Sequence, residues 1–398
     1  MTTLQGPARN VSDEAILTPA MLALCGLIML AMSSYYLLLS AVPAHIACLG
    51  GDLAAGLATS TLMATTIVGE LYAVRVMSRV GRGPALTTAL LALAAPSLFS
   101  LSNSIFIVLL SCAVRGLGVG VLLVAAGGLA ARIAPPGRRA EAMGVYGAAA
   151  AIPAILCVPI GPWSLAQLGS RPTALTAAML ALAGTLCILF LPRDSGRSTK
   201  VVVAHRLPAL RVAAWPTASL AFGAIAIGAA VTFLPLAHRE LSTGTIMLAL
   251  LLQGLTSATA RWGSGRFVDR RGPDGAMIAG IAVTAVAILL LAIRGDLAVL
   301  AGMVLSGVAF GVLQTASLAQ LLARTTTSQI DGASALWNAA YDAGLGLGGF
   351  AVGVLATTCG YPAAFALTGA GIAMLAFIIF RHFEAGGTCR ASARRPEA

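Results

Sequence analysis

The chain contains little charge and few acidic residues. Only 10% of its 398 residues are charged and Asp and Glu together number 14, whereas about a quarter of the residues of a soluble domain are charged. Lysine is nearly absent, because Lys200 is the single one and the other basic residues are arginines. This composition excludes a soluble globular protein, and the arginine bias favours a GC-rich bacterial genome.

Histidine and cysteine are also sparse. The four histidines and seven cysteines are scattered, without the spacing of a zinc site, a catalytic nucleophile or a disulfide framework, and the chain contains no phosphate-loop motif. We therefore expect no metal, no cofactor and no enzymatic activity, and we expect His45 and His238 to be solvated at the outer surface. The net charge of +11 could indicate nucleic-acid binding, but the arginines lie in short segments between apolar runs, which is typical of membrane proteins.

Long apolar runs dominate the rest of the chain, of which 58% is hydrophobic. A spanning helix needs about 20 predominantly apolar residues. This length predicts an all-α membrane protein with twelve transmembrane helices. Their predicted limits are 19–42, 53–77, 84–101, 105–130, 143–164, 172–192, 212–236, 244–266, 275–293, 297–322, 333–357 and 362–380.

One turn occurs twice, with glycines about half a chain apart. Gly81 and Gly272 are separated by 191 residues (272 − 81), and each permits a tight reversal between helices. The two copies read Val74-Arg-Val-Met-Ser78-Arg79-Val-Gly81-Arg82 and Gly265-Arg-Phe-Val-Asp269-Arg270-Arg-Gly272. Further landmarks lie 192 residues apart: Pro43 and Pro235, expected to close the first helix of each half, and Gly161 and Gly353. The pattern predicts an internal duplication of six helices.

The pattern Gly-x-x-x-Asp-Arg-x-Gly at 265–272 resembles the loop motif of the major facilitator superfamily. The first copy departs from it, with Val74 and Ser78 in place of the glycine and the aspartate. The resemblance, which covers the whole chain, implies two six-helix bundles around a central cavity, secondary transport by alternating access, and a monomer. It also implies that the two loops are cytoplasmic latches, with Asp269 at the N-terminal end of the fifth helix, whose dipole attracts a carboxylate. The implied gating residues are Gly265, Asp269, Arg270, Gly272, Arg79, Gly81 and Arg82.

Four regions are expected along the chain. They are an N-terminal six-helix bundle (1–192), a cytoplasmic linker (193–211), a C-terminal bundle (212–383) and a basic cytoplasmic tail (384–398). If both termini are cytoplasmic, inside segments hold 20 of the 25 basic residues and outside loops hold 3, and the remaining two lie within helices. Since cytoplasmic loops carry an excess of Lys and Arg, this distribution predicts a multi-pass protein of the bacterial cytoplasmic (inner) membrane with both termini inside.

Asp342 is the leading candidate for a functional residue within a predicted helix. Asn338, four residues earlier, shares its face of the eleventh helix. A desolvated carboxyl group in the membrane can exchange a proton near physiological pH, which suits coupling to a proton gradient. The alternative is a permanently paired structural carboxylate that Asn338 caps.

Glu70 and Arg261 occupy equivalent positions of the two halves, because they also lie 191 residues apart (261 − 70). A charge pair between the halves that forms in one state and breaks in the other would act as a gate. The alternative is pairing within one half, for which Arg261 with Asp342 is the obvious candidate. Glu70 is also close enough to the cytoplasm to be solvated.

Arg115 lies in Arg115-Gly-Leu-Gly-Val-Gly of the fourth helix. This stretch resembles the fourth-helix motif of proton-coupled superfamily members, whose arginine is linked to coupling. Contact with an anionic substrate and structural pairing are the alternatives. Gln314, Tyr36 and Tyr146 could line the cavity, although such residues are more often packing residues with one satisfied hydrogen bond.

The fifth helix contains Pro153, Pro159 and Pro162, and it resembles a degraded form of the Gly- and Pro-rich antiporter motif. Cys157 and Leu165 replace expected glycines. The leading function is proton-driven export of a small organic molecule, a drug or a metabolite, and a proton-coupled importer is the alternative. The expected partners are that substrate, protons and the lipid bilayer, and nucleic acid is excluded.

Overall fold

The computed structural model describes residues 17–135, 139–192, 210–238, 240–326 and 329–392. These ranges are built of α-helices, and no strand occurs in them. We number the membrane segments α1 to α12. Those that form separate helices are α3 (Arg82–Ser97), α4 (Ile105–Ile133), α5 (Arg139–Leu168), α6 (Ser170–Cys187), α7 (Leu210–Ala237), α8 (Thr243–Gly263) and α10 (Asp296–Ala323).

The remaining segments come from helices that bend sharply at glycine. Helix Pro19–Val80 contains non-helical backbone at Gly50 and Gly51, which separates α1 (19–49) from α2 (52–80). Helix Gly265–Leu291 is interrupted at Gly272, so that a short helix precedes α9 (273–291). Helix Ile330–Ser392 is interrupted at Gly360, which separates α11 (330–359) from α12 (361–392).

The described chain contains nine helices that are long and apolar enough to cross a membrane. Two of the nine hold two segments each, α1 with α2 and α11 with α12. The shorter α3, of 16 residues, adds one more. The predicted twelve-helix architecture is therefore confirmed.

The prediction that Pro43 closes the first helix is wrong. α1 continues past Pro43, and the chain reverses at Gly51, whose φ is 70°. Proline removes one backbone donor but leaves the following turn able to form, and packing in a membrane protein supports such a helix. The reversal needs a positive φ, which glycine adopts without a steric penalty. Pro235 does lie close to the end of its helix, Ala237.

Two pairs of turns confirm the internal repeat. Gly81 and Gly272 have φ values of 85° and 73° and end α2 and the short helix before α9. Gly169 and Gly360, at 86° and 76°, lie between α5 and α6 and between α11 and α12. Each pair is 191 residues apart (272 − 81 and 360 − 169).

Helix packing repeats at the same spacing. A Cβ atom on Gly116 of α4 would contact the Leu62 carbonyl of α2, and one on Gly307 of α10 would contact the Gln253 carbonyl of α8. One turn later, a Cβ on Gly120 would lie 2.6 Å from the Glu70 nitrogen, and one on Gly311 would lie 2.7 Å from the Arg261 nitrogen. The small residues thus let α4 approach α2 closely, and α10 approach α8 in the same way.

Successive membrane segments alternate in direction, so the turns lie at two ends of the molecule. We call the end with the Gly51, Gly169 and Gly360 turns the Gly51 end, and the end with the Gly81 and Gly272 turns the Gly81 end. His238 follows α7 at the Gly51 end and is 3% exposed, so the expectation that it is solvated is wrong. Its ring nitrogens lie 3.1 Å from the Leu291 carbonyl oxygen and 3.3 Å from a Glu240 carboxylate oxygen.

Candidate functional site

Helices α2 and α11, from opposite halves, meet in the part of the molecule nearer the Gly51 end. A Cβ atom on Gly56 would overlap the Gly349 carbonyl group, and a Cβ on Gly346 would lie 3.1 Å from Met63 Cβ. Ser60 Oγ donates a hydrogen bond of 2.7 Å to the Gly346 carbonyl. Two further bonds join the halves on the same side: Thr59 with Thr232 of α7 (3.0 Å), and the Tyr361 hydroxyl with the Asp52 carboxylate.

The facing surfaces of α2 and α11 become accessible beyond these contacts. Leu71 continues the Gly56, Ser60 and Met63 face of α2 at helical spacing and is 68% exposed. Asn338 occupies the corresponding place on α11 and is also exposed. The contacts between α2 and α11 thus lie at the Gly51 side, and we call the accessible stretch of these two faces toward the Gly81 end the crevice.

Asp342 lies where this crevice closes. It shares a face of α11 with Asn338 and Gly346, each four residues away, which places it about 6 Å along the helix from the Gly346 contact. Asp342 is 7% exposed, and neither a hydrogen bond nor an ion pair to its carboxylate occurs within the described ranges. Burial of an unpaired carboxylate is costly, so its position requires a specific explanation.

Glu70 approaches the same place from the opposite half. It is half-buried on α2 and lies within electrostatic range of the Asp342 carboxylate. Asn338, the expected cap of Asp342, makes no hydrogen bond with it in the described chain. Asp342 and Glu70 are thus two candidates that lie within electrostatic range of each other across the interface.

Three tyrosines lie in the neighbourhood of Asp342. Tyr35 and Tyr36 of α1 form an edge-to-face pair with centroids 5.0 Å apart, and Tyr341 of α11 stacks on Phe310 of α10 at 5.7 Å. All three tyrosines lie within electrostatic range of Asp342. The Tyr35 hydroxyl donates to the sulfur of Met63, which itself packs on Gly346 beside Asp342.

The sequence singled out Tyr36 but missed Tyr35, Tyr341 and Phe310. The position of Tyr341 directly before Asp342 in the sequence could have drawn attention to it. No sequence signal shows toward which neighbouring helix Tyr35 and Tyr36 of α1 point. Gln314 is half-buried one turn beyond Phe310 on α10, and Tyr146 is buried within the N-terminal half with its hydroxyl lacking a hydrogen-bond partner among the described residues.

Arg115 is fully buried (0% exposed) among residues of α1, α2 and α4. Its Nη2 donates to the Ser34 carbonyl at 3.1 Å, whereas Nε and Nη1 have no partner in the described chain. A cavity of about 10 Å³, lined in part by Arg115, Cys112 and Thr59, adjoins it. The structural pairing considered for Arg115 would require a carboxylate within 4.0 Å, and none of the described carboxylates fulfils this.

Arg261 is exposed on α8 and lies within electrostatic range of Tyr341. Its position in the repeat matches that of Glu70, because the glycine contacts at both nitrogens correspond. The pairing proposed between Arg261 and Asp342 does not occur, since no ion pair within 4.0 Å joins these two described residues. A pair between Arg261 and Glu70 is likewise not formed in this state.

The candidate gating loops lie at the Gly81 end. Arg79 is exposed, whereas Arg82 is half-buried and lines a cavity of about 400 Å³ with Gly81, Gly83 and Leu129. In the second loop Gly265 and Arg270 are exposed and Gly272 makes the turn. The side chain of Asp269 lies outside the part of the chain that the structure describes, and so do the side chains of 139–141 at the start of α5, with which it was expected to interact.

The sequence did not predict a polar cluster in the C-terminal half at the Gly81 end. Asp274 of α9 accepts hydrogen bonds from Trp215 Nε1 of α7 at 2.9 Å and from the Gln320 amide of α10. Arg324 lies 3.4 Å from its second carboxylate oxygen. The cluster therefore joins α7, α9 and α10.

The proline-containing fifth helix packs closely on α1. Pro153, Pro159 and Pro162 lie inside α5. Between them, the Val158 carbonyl accepts a 2.7 Å hydrogen bond from Ser40 of α1, and a Cβ atom on Gly161 would overlap the Leu37 carbonyl group. The described residues contain no group of His, Cys, Asp and Glu that could hold a metal ion.

Comparison with known families decides the class of protein. The family model described as Major Facilitator Superfamily matches residues 24–293 and 218–387. The chain belongs to this superfamily. It is thus a transporter rather than an enzyme, as the loop motif predicted.

Solved structures of other superfamily transporters share the fold. The nucleoside transporter NupG has a TM-score of 0.75 at 13% identity, over 92% of this chain and 99% of its own. An auto-inhibited peptide transporter of the POT family has a TM-score of 0.72 at 12% identity, over 96% and 98%. A bacterial homolog of the human lysosomal transporter Spinster, in an inward-facing and unoccupied conformation, has a TM-score of 0.68 at 15% identity, over 90% and 94%.

Proposed function

We propose that this transporter exports a small organic molecule, a drug or a metabolite, in exchange for protons by alternating access. The observation that carries the proposal is Asp342, a buried carboxylate without a partner in the described chain at the closed end of the crevice. Such a group can take up a proton and release it when its surroundings change. Glu70, from the other half, makes its protonation depend on the distance between the halves.

Alternating access would proceed by rocking one half against the other around this site. Opening the Gly51 end breaks the Thr59–Thr232 and Ser60–Gly346 bonds and separates the glycine contacts of α2 and α11. Closing the Gly81 end would bring the Glu70 face of α2 and the Arg261 face of α8 toward each other. An ion pair between these two residues would then act as a gate. Arg115 lies close to the Gly51-side contacts. Opening this end would expose its side chain to the cavity, where it could take part in proton coupling.

The Gly81 end faces the cytoplasm in this proposal, because the arginine-rich segments lie there. The protein would be a monomer in the bacterial inner membrane with both termini inside. Its two bundles span 1–192 and 212–383, and the linker 193–211 and the tail 384–398 are cytoplasmic. Asp269 would act as a latch by binding the N-terminal end of α5. The first loop has Ser78 at the equivalent position, which carries no charge, so its latch would be weaker.

Proton-coupled import is the second candidate. The observation that favours it is the replacement of two glycines of the antiporter-like pattern of α5, by Cys157 and Leu165. The solved nucleoside and peptide transporters share the fold at low identity and therefore do not decide direction or substrate.

The test uses purified protein in liposomes that contain a pH-sensitive dye. A pH gradient is imposed, and cationic, neutral and anionic compounds are added to wild type, Asp342→Asn and the control Asp296→Asn, whose exposed carboxylate lies at the Gly51 end. Substrate-triggered proton movement against the substrate flux should occur in wild type and the control and vanish in Asp342→Asn. Proton movement in the same direction as the substrate would indicate import, and movement that persists in Asp342→Asn would contradict the role of Asp342.

A further inference from the structure

We propose that the cavity at the Gly81 end of the N-terminal half binds an anionic phospholipid. The lipid phosphate would lie at Arg82, and the adjoining part of the acyl chains would lie on the apolar lining. This site is separate from Asp342, so the proposal depends neither on the transported substrate nor on the direction of transport.

The shape and lining of the cavity are the first argument. The cavity has a volume of about 400 Å³ and lies between the α2–α3 turn, Leu129 of α4, and Ile188 and Leu191 at the end of α6. Ligand pockets in proteins typically have about 300–1,000 Å³ and are lined mostly by apolar side chains with a few polar groups. Both the volume and the aliphatic lining therefore suit part of a lipid molecule.

Charge is the second argument. The Arg82 side chain is half-buried in the lining, and a Cβ atom on Gly128 would lie 3.9 Å from its Nη2, which places the guanidinium group at the α4 wall. Arg79 in the last turn of α2 and Arg132 in the last turn of α4 are exposed at the same end. Guanidinium groups bind phosphate oxygens through paired N–H donors. The arginines thus favour an anionic headgroup.

The position of the cavity relative to the membrane is the third argument. Ile188 and Leu191 line the cavity, whereas Leu189 and Phe190, which lie between them, are 77% and 70% exposed. The apolar span Ser170–Phe190 ends at this point, so the cavity lies at the level where lipid headgroups meet the hydrocarbon. Large exposed apolar side chains on a spanning helix face lipid chains. A lipid can therefore reach the cavity sideways from the bilayer, along α6.

These features favour a lipid over a dissolved phosphate compound, because a dissolved anion would gain nothing from an aliphatic lining at the end of a membrane span. In the orientation proposed above, the Gly81 end faces the cytoplasm. The cytoplasmic leaflet carries anionic lipids, and basic pockets between membrane helices on this side bind their headgroups.

The first measurement is lipid binding to delipidated protein in detergent, followed by native mass spectrometry. The probes are phosphatidylglycerol, phosphatidylcholine with the same acyl chains, and glycerol phosphate, which has the charge without the chains. Wild type should bind phosphatidylglycerol roughly fivefold or more tightly than phosphatidylcholine. Glycerol phosphate should not displace it.

Variants locate the site. Gly83→Asp adds an acid to the lining at the repeat position of Asp274 (274 − 191), where an added Cβ atom has nothing within 4 Å. Gly83→Asp and Arg82→Gln should each weaken phosphatidylglycerol binding by roughly fivefold or more, and Arg82→Lys should retain most of it. The controls are Gly263→Asp, an equally open position in the other half, and Arg171→Gln, an exposed arginine of α6 at the Gly51 end. Both should bind phosphatidylglycerol as wild type does.

Thermal unfolding shows whether each variant is folded and gives a second readout. A ligand that binds the folded state raises the unfolding temperature, so phosphatidylglycerol should stabilise wild type and both controls more than it stabilises Gly83→Asp. Three results would overturn the proposal. They are equal affinity for phosphatidylglycerol and phosphatidylcholine, displacement by glycerol phosphate, which would assign the site to a dissolved anion, and an unchanged lipid preference in either Gly83→Asp or Arg82→Gln.

Discussion

Thr59 of α2 and Thr232 of α7 form a hydroxyl–hydroxyl hydrogen bond of 3.0 Å between the two halves, and both side chains are buried. The bond lies beside the glycine contacts of α2 and α11. The two kinds of contact respond differently when the halves separate, because each hydroxyl can replace its hydrogen bond with one to water. The glycines instead set how closely the helices approach, and they are therefore the better place to bias the conformation.

Replacing Gly56 by alanine should open the Gly51 end. The added methyl group would overlap the Gly349 carbonyl group, a backbone group that cannot rotate away. Overpacking of this kind costs about 1–3 kcal/mol, which corresponds to roughly a 5- to 150-fold shift of an equilibrium. The measurement is the maleimide labelling rate at Thr59→Cys in a protein otherwise free of cysteine. Gly371→Ala is the control, since nothing lies within 4 Å of its added Cβ; equal rates in both variants would refute the prediction.

Arg115→Met should fold at least as well as wild type. Arg115 is a buried cation with one hydrogen bond, to Ser34, and no described carboxylate within 4.0 Å, so its burial is only partly compensated. Replacing such a buried charge by an apolar side chain is often neutral or stabilising by about 1–4 kcal/mol. Thermal unfolding in detergent measures this, with Arg132→Met at an exposed position of the same helix as control. A large loss of stability in Arg115→Met would show that Arg115 has a structural partner.

Asp274→Ala should destabilise the C-terminal half. The substitution removes the acceptor that Trp215 and Gln320 share and the charge that Arg324 approaches. Leaving buried donors without their acceptor costs about 1–3 kcal/mol. Thermal unfolding should show the loss, and Asp274→Asn, which keeps one acceptor oxygen, should lose less. If both variants unfold at the wild-type temperature, the cluster does not contribute to stability.

Glu240 should make a small, pH-dependent contribution to stability. A hydrogen bond from its own backbone and then the His238 ring hold the Glu240 pKa below its ordinary value. Because the folded-state pKa is the lower one, the stabilisation is present above the ordinary value, about 4.3, and is lost as the pH falls through the folded-state pKa. Since Glu240 is largely exposed, the effect should be only roughly 0.2–1 kcal/mol.

The comparison is between Glu240→Gln and wild type in thermal unfolding across this pH range. Glu240→Gln should be slightly less stable at neutral pH, and the difference should disappear in acid. A difference that stays constant down to acid pH would assign the effect to packing instead of charge.

Repetition and hydrophobic length made much of the fold predictable. The 191-residue spacing of Gly81 and Gly272 also relates Glu70 to Arg261. The structure shows the two as equivalent positions of the repeat, because the duplicated helices keep the same packing contacts. Pro43 misled the prediction, since a proline bends a helix without ending it when neighbouring helices support the bend. Membrane sequences signal where helices lie more reliably than where they stop.

The site was predictable only in part. Asp342 and Glu70 stand out in any apolar sequence because charge in a membrane is costly. Their approach to each other is not visible in the sequence, since it depends on how the two halves dock. Arg115 draws attention for the same reason as Asp342, yet it is fully buried and donates to the Ser34 carbonyl. The rings of Tyr35 and Tyr341 take their place from tertiary packing.

The cavity of about 400 Å³ at the Gly81 end of the N-terminal half lies where the C-terminal half has the Asp274 cluster. Its lining residues Gly83 and Leu129 occupy the repeat positions of Asp274 and Gln320 (274 − 191 and 320 − 191). Where the C-terminal half ties three helices together with polar side chains, the N-terminal half has empty space. We therefore expect the two copies to be unequal in stiffness although they follow the same path, so that in the proposed rocking motion the C-terminal half would be the more rigid partner.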